Sequence, residues 1–428
     1  MTTPQTYAAY GDATNMVYQA AGLFATHMQR NSVMNRLTGP MPKGVGGASA
    51  TLRKQTTQHM PIVTCQDLGK GEGDEITFHL LNPVNAKPVM GSQWAEGKGT
   101  GMKLSEGRLR VNQARFPVSL GDVMTDLRSP ADFRALGRPV AQNLMDRYMD
   151  QSMLVHLCGA RGYQDNAEWV VPLASDPEFA STVINTVKAP TKNRHYLADA
   201  TNGVKAFALN GGDVDLGTTD VFGLDTVDAM RTVMDEMALP PPVVKIPGDM
   251  AAEDSPLRVW LVSPAQYNLF AKSSTFRTYQ ASAWARASQA KQHPLFLGEV
   301  GLWNGFIIMK MPRPIRFYST NAMAYCASLT SETESSATIA AALGTTFAVD
   351  RSVILGGQAL LQAFGSSRMS GIPFFWSEKP LDHGDKVELL IGAVPGWSKT
   401  RFEVDTGSGK EFTDYGATVV DTVVPLTA

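Results

Sequence analysis

The run Gly97-Lys98-Gly99-Thr100-Gly101 most invites a chemical reading, because glycines let backbone N–H groups close on phosphate oxygens. The spacing rejects it. Gly91 stands one residue too far upstream for GxxxxGK, Gly99 fills the place of the magnesium-holding hydroxyl, and no apolar strand leads into the run. The histidines (His27, His59, His79, His156, His195, His293 and His383) show no pair at metal-ligand spacing, and HExxH is absent. Asp382-His383-Gly384-Asp385 gathers two carboxylates around an imidazole, a set a hydrolase or a metal could use, yet the same residues suit a turn ahead of a strand. Cys65, Cys158 and Cys326 form no CxxC and no disulfide framework, and Cys158 falls within an amphipathic helical pattern, where a buried inert thiol is expected. No GxSxG elbow is present. These residues build no catalytic or metal site and ask for no cofactor.

The weight then moves to the elements themselves. The chain has 428 residues, enough for two or three structural units, and only 18% are charged against roughly 25% in an average soluble domain. Low charge at this size fits a globular protein with much surface buried against something else. The net charge of −2 conceals asymmetry. Residues 1–60 carry Arg30, Arg36, Lys43, Arg53 and Lys54 against Asp12 alone, and residues 86–115 carry Lys87, Lys98, Lys103, Arg108, Arg110 and Arg115 against Glu96 and Glu106. Two segments of +4 therefore extend from a body of −10. The N-terminus has no charged-then-apolar signal pattern, and the longest lightly polar run, Ala337 to Val349, is too short to cross a bilayer, so a protein made in the cytoplasm is expected.

Periodicity predicts a helix from Asn15 to Leu37, then a Gly/Pro-rich arm from Thr38 to Ala50. Ile76, Phe78 and Leu80 alternate in a strand over Glu75 to Leu81, and Leu109 to Leu120 reads as its match. The Gly-rich residues between them, Asn82 to Arg108, form a projecting loop with contacts outside their own domain. Ser129-Pro130-Ala131-Asp132 starts a long spine helix that stops near Gly159. Residues 160–222 are uninformative. Thr226 to Ala238 is helical, ended by Pro240, Pro241 and Pro242; Arg258 to Val262 is a strand, and Ser263-Pro264-Ala265-Gln266 is a capping-box helix start. Val300 to Met311 and Ile315 to Ser319 read as strands, and Ser352 to Phe364 as an apolar stretch. Val387 to Val394, Arg401 to Val404 and Ala417 to Val424 are terminal strands joined by Pro395-Gly396 and Gly407-Ser408-Gly409 turns.

This order of elements resembles the major capsid proteins of tailed bacteriophages with the Hong Kong 97-type fold. The stretches GDEITFHLLNPV (Gly73 to Val84), Glu96 to Leu120, GRPVAQNLMDRYMDQ (Gly137 to Gln151), FLGEVGLWNGFIIMK (Phe296 to Lys310), ILGGQALLQAFG (Ile354 to Gly365) and TDYGATVVDT (Thr413 to Thr422) are similar to a podovirus-type capsid family. The resemblance implies an α+β capsid fold: an N-terminal arm (1–60), a peripheral domain (61–220) with an extended loop (82–118) and a spine helix (130–158), an axial domain (221–370), and C-terminal strands (371–428) returning to the peripheral domain. It implies an icosahedral shell of pentamers and hexamers of this chain, enclosing double-stranded DNA without sequence-specific binding and without a membrane. Portal and scaffolding proteins are the further partners, with room for a decoration protein. The extended-loop residues expected between subunits are Lys87, Trp94, Glu96, Lys98, Lys103, Glu106, Arg108, Arg110 and Arg115; Lys87, Lys98 and Lys103 stand where some members of the fold crosslink. With the first strand expected at residue 75, no long fused scaffold is expected. A nanocompartment shell of the same fold, and a hydrolase using Asp382, His383 and Asp385, are the alternatives.

Overall fold

Successive side chains of a strand point to opposite faces, and in this chain that alternation sorts one sheet's residues into two cores. Val259, Leu261, Val353, Leu355, Val419 and Val423 join one apolar cluster; Trp260, Val262, Ile354 and Val420 join another. The computed structural model describes residues 32–38, 59–68, 74–81, 88–99, 104–122, 124, 128, 133–237, 239–245, 257–278, 301–365, 372–405 and 409–426. The expected helix start at Ser129, the arm from Thr38 to Ala50 beyond its first residue, and all but the end of the Asn15-to-Leu37 helix lie outside them.

The sheet runs Gly301–Trp303, Phe306–Lys310, Arg258–Val262, Phe347–Leu355, Ala417–Pro425, His195–Asp199, Gly203–Ala206, with Ile315–Phe317 also pairing Phe347–Leu355. Phe306–Lys310 is parallel to Arg258–Val262, and Ala417–Pro425 is parallel to His195–Asp199. The central strands are buried on both faces: Arg258–Val262 is almost wholly apolar, whereas Phe347–Leu355 and Ala417–Pro425 also carry buried polar residues, Asp350, Arg351, Asp421 and Thr422 among them. One face packs on the helices Leu224–Glu236 and Pro264–Lys272 through Met230, Met234 and Phe270. The other packs on the spine helix Phe133–Cys158 through Met145, Met149, Met153 and Leu157.

The spine helix, at 1.5 Å per residue, is about 39 Å long. Near its start Leu136 and Val140 are exposed; from Gln151 to Cys158 every residue is buried, the mark of a helix sunk into a core. It ends at Gly159 in the left-handed region (φ +64°), where a Cβ would stand 2.4 Å from the Lys188 carbonyl oxygen, so only glycine closes it. The capping box at Ser263 forms as the sequence predicts: Ser263 Oγ accepts from Gln266 N–H and Gln266 Oε1 accepts from Ser263 N–H.

Smaller sheets surround this centre. Ile62–Leu68, Leu360–Gly365 and Pro395–Lys399 form one, and Phe374–Leu381, Lys386–Ala393 and Ala114–Asp122 another. A third, Ala322–Cys326, Glu334–Ile339, Asp213–Val214 and Leu209–Asn210, draws strands from the region that carried no sequence signal. Ile62–Leu68 precedes the strand expected first. Pro395 and Gly396, expected as a turn, open a buried strand. Val300 to Met311 divides at Asn304-Gly305 (φ +45° and +79°) into a hairpin, the turn that Asn-Gly favours. The terminal stretch divides between sheets: Lys386–Ala393 pairs with Ala114–Asp122, whereas Ala417–Pro425 fills the centre of the large sheet.

A buried ion cluster clamps this centre. Arg351 donates from Nε to Asp421 Oδ1 (2.8 Å), from Nη2 to Oδ2 (2.9 Å) and from Nη1 to the Cys158 carbonyl (3.2 Å). His195 Nε2 lies 2.7 Å from Asp421 Oδ2. Two central strands, the neighbouring strand and the spine helix end are thus tied at one point. Burial pushes the Asp421 carboxyl up, but Arg351 and His195 outweigh it and hold it at about 2. His156, in the spine helix with Nε2 3.1 Å from the Val183 carbonyl, is lowered to about 4 by burial, against that hydrogen bond. Below an ordinary histidine pKa of about 6.5 the unfolded chain takes up this proton and the folded chain does not. Stability therefore falls as pH drops from about 6.5 towards 4, by about 3 kcal/mol from this residue, and His195, also lowered by burial, adds in the same direction. Urea unfolding across that interval checks the slope, which His156→Gln should flatten.

Candidate intersubunit surface

Glu75–Leu81 pairs antiparallel with Leu104–Arg110, Ile76 opposite Leu109 and Phe78 opposite Gly107. The second strand starts earlier than expected, and the run expected from Leu109 to Leu120 is broken at 111–113 before Ala114–Asp122 joins a different sheet. Of the residues between the two hairpin strands, 88–99 are described.

The hairpin root is held to the body. Val111 N–H donates to the Asp74 carbonyl (2.8 Å) and Asn112 N–H to the Pro395 carbonyl (3.1 Å). Asn185 clasps Arg110 twice: Oδ1 accepts from its N–H (3.0 Å) and Nδ2 donates to its carbonyl (2.9 Å). Phe78 lies edge-on to Phe402 with centroids 6.3 Å apart, and a Cβ on Gly107 would strike the Phe78 ring at 2.3 Å. Asn185→Ala should cost about 1–2 kcal/mol for two lost hydrogen bonds, with faster amide exchange at Arg110 as its measure.

The tip is not held in this way. Residues 88–99 are exposed throughout except the half-buried Val89, with turns closed by Gln93 N–H to Met90 O (3.4 Å) and Lys98 N–H to Ala95 O (3.2 Å). Met90 is 69% and Trp94 75% exposed, the two highest values for large apolar side chains among the described residues. Glu96 and Lys98 are exposed beside them. Arg108 and Arg110 project from one side of the second strand and share Glu75 at 3.6 and 3.9 Å. Glu106 stands in that strand opposite His79. Arg115 is exposed, but on Ala114–Asp122, opposite Gly392. Lys87 and Lys103 lie outside the described residues. Sequence reasoning missed Glu75 and Asn185; the first sat in a recognised strand, whereas the second lay in a stretch with no periodic signal.

Behind the root, Asp414 accepts from Arg401 Nε at Oδ1 (2.8 Å) and meets Lys399 Nζ at Oδ2 (2.7 Å), all three buried. Thr191 N–H also donates to Asp414 (3.2 Å), and Arg401 donates to the Ala189 carbonyl. Elsewhere, Asp382, His383 and Gly384 form an exposed positive-φ turn with Lys386 Nζ 3.1 Å from Asp382, and Cys158 and Cys326 are buried free thiols. No helix among the described residues is long and apolar enough to cross a membrane.

An α+β body, a long spine helix sunk into it and a two-stranded hairpin with the largely exposed residues 88–99 between its strands are the architecture of the Hong Kong 97-type fold. The same architecture is found in the capsid of Ralstonia phage GP4, 21% identical with TM-score 0.62, over 90% of this chain and 96% of that one. It is found also in the cyanophage Pam1 capsid asymmetric unit, 12% identical with TM-score 0.55 over 89% and 95% of the two chains. The acid-stable capsid of Helicobacter pylori bacteriophage KHP30 is 12% identical, TM-score 0.53, over 90% and 95%. Among curated proteins no sequence matches. The sequence model of the phage capsid proteins matches residues 7–426, and the chain belongs to that family. It is a major capsid protein: copies of it assemble as the shell of the virion, a structural role.

Proposed function

We propose that the extended loop, 82–118, reaches over a neighbouring subunit and that Lys87, Trp94, Glu96, Lys98, Lys103, Glu106, Arg108, Arg110 and Arg115 supply its contacts. The observation that carries this reading is Trp94, three-quarters exposed beside Met90 on a tip whose root is bonded to the body. A solvated tryptophan and methionine pair gains most by burial against a second surface, on the order of 1.5–3 kcal/mol for each large side chain. Repeated around closed rings, contacts that are weak singly become collectively strong. The subunits form pentamers and hexamers of an icosahedral shell around double-stranded DNA, assembled in the host cytoplasm without catalysis by this chain. Portal, scaffolding and decoration proteins are its further partners. The arm (1–60), the peripheral (61–220) and axial (221–370) domains and the terminal strands (371–428) are the working parts. Electron microscopy of the purified protein, with scaffold supplied, is expected to show closed shells; monomers at every salt and concentration would overturn the reading.

A further inference from the structure

A cavity of about 460 Å³ opens at the hairpin root, where the two-stranded hairpin meets the Arg401–Asp405 strand. Its wall holds four cations, Arg108, Lys188, Lys399 and Arg401, and two carboxylates, Glu332 and Glu403. They come from separate elements: Arg108 from the hairpin, Lys399 and Arg401 from the C-terminal strands, Lys188 and Glu332 from connecting segments. Glu403 is engaged by Lys410 at 3.1 Å, and Glu332 stands 3.7 Å from Lys188 and 3.8 Å from Arg401. Lys399 and Arg401 are 1% exposed and share one buried carboxylate, Asp414. Lys399 Nζ stands 2.7 Å from Asp414 Oδ2 while Arg401 Nε takes Oδ1 at 2.8 Å, so one buried carboxylate faces two buried cations. The positive wall is thus incompletely neutralised, and in a recess of low dielectric that excess attracts an anion.

We propose that this cavity binds a tetrahedral oxyanion of the phosphate class. Arg108 and Lys188, 72% and 37% exposed, make the direct contacts, one from the hairpin and one from the body. Lys399 and Arg401 act from behind through their charge. Arg108 now has Glu75 at 3.6 Å, an exposed pair of small worth, so turning toward an anion costs it little. Burial lowers the Lys399 pKa, Asp414 only partly restores it and Arg401 lowers it further; a bound anion offsets the strain of two neighbouring buried cations. Bridging Arg108 to Lys188, the anion fixes the angle at which the hairpin leaves the body. This goes beyond the shell reading, because binding is measured on the unassembled subunit.

The test is titration of the full-length subunit with inorganic phosphate at constant ionic strength, read by calorimetry and by amide exchange of the Leu104–Arg110 strand. Saturable binding with slower exchange in that strand is expected. Arg108→Gln and Lys188→Gln should each weaken binding about tenfold or more, and Lys188→Arg should retain it. Both glutamine variants change exposed or half-exposed side chains and leave the fold intact by circular dichroism. Absence of saturation in the millimolar range, or equal binding by both glutamine variants, overturns the proposal whether or not shells form.

Discussion

Asp421→Asn is expected to lower the unfolding free energy by about 3–5 kcal/mol, the cost of leaving one partner of a buried ion pair uncompensated. The side-chain volume is unchanged, so no cavity arises; what is lost is the charge that Arg351 faces at 2.8 and 2.9 Å, deep in the sheet. The cost is structural as well as electrostatic. Arg351 also holds the Cys158 carbonyl, so its guanidinium fixes the end of the spine helix against the two central strands. Urea denaturation read by tryptophan fluorescence measures the loss. Asp382→Asn, whose carboxylate lies exposed beside Lys386, should stay within about 0.5 kcal/mol. A change at Asp421 no larger than at Asp382 would falsify the clamp. Replacing the pair jointly, Arg351→Met with Asp421→Leu, should recover much of the loss, since buried pairs are often replaceable by apolar residues at little cost.

Replacing residues 88–99 with a short turn is expected to abolish shells while leaving the subunit folded. The described bonds to Asp74, Asn185 and Pro395 lie at the hairpin's root and the ladder ends at Leu81 and Leu104, so none of these is touched. Shortening a loop lowers closure entropy slightly, so the subunit should keep its circular dichroism spectrum and its unfolding midpoint. The loss falls on association, where Trp94 and Met90 are removed from each copy. Negative-stain micrographs and sedimentation decide the matter, and unchanged shells refute the role given to the tip. Trp94→Ala alone should give a graded version, fewer shells at a given subunit concentration, because a single large aromatic anchor often contributes about 2 kcal/mol or more at an interface.

Wherever the cause was local, the sequence was informative. Ser263 to Gln266 closes its capping box, Arg258–Val262 is the strand its residue types require, and Gly159 ends the spine helix where it was expected. The alternation of Ile76 and Phe78 marked the hairpin's first strand. Those are effects of chain stiffness, turn geometry and period, all set within a few residues. The order of those elements also sufficed to recognise the capsid fold.

What the sequence could not determine was which charges lie inside. A lightly charged chain reads as one with a lightly charged surface, but Arg194, Arg258, Asp350, Arg351, Lys399, Arg401, Asp414 and Asp421 are buried, and the surface is poorer in charge than composition alone implies. Arg351 meets Asp421, and Arg316 meets Asp350, across strands far apart in the chain. The hairpin root is similar: Asn185 reaches Arg110 from a stretch without periodicity, and the cavity assembles cations from positions 108, 188, 399 and 401. Sequence alone determined the end of the spine helix, the capped helix at Ser263 and the strands Glu75–Leu81 and Arg258–Val262, because backbone preference and apolar period act locally. Only tertiary structure decided how the hairpin is anchored and which ions pair beneath it, because those energies depend on burial and distance between residues that meet only when the sheet closes.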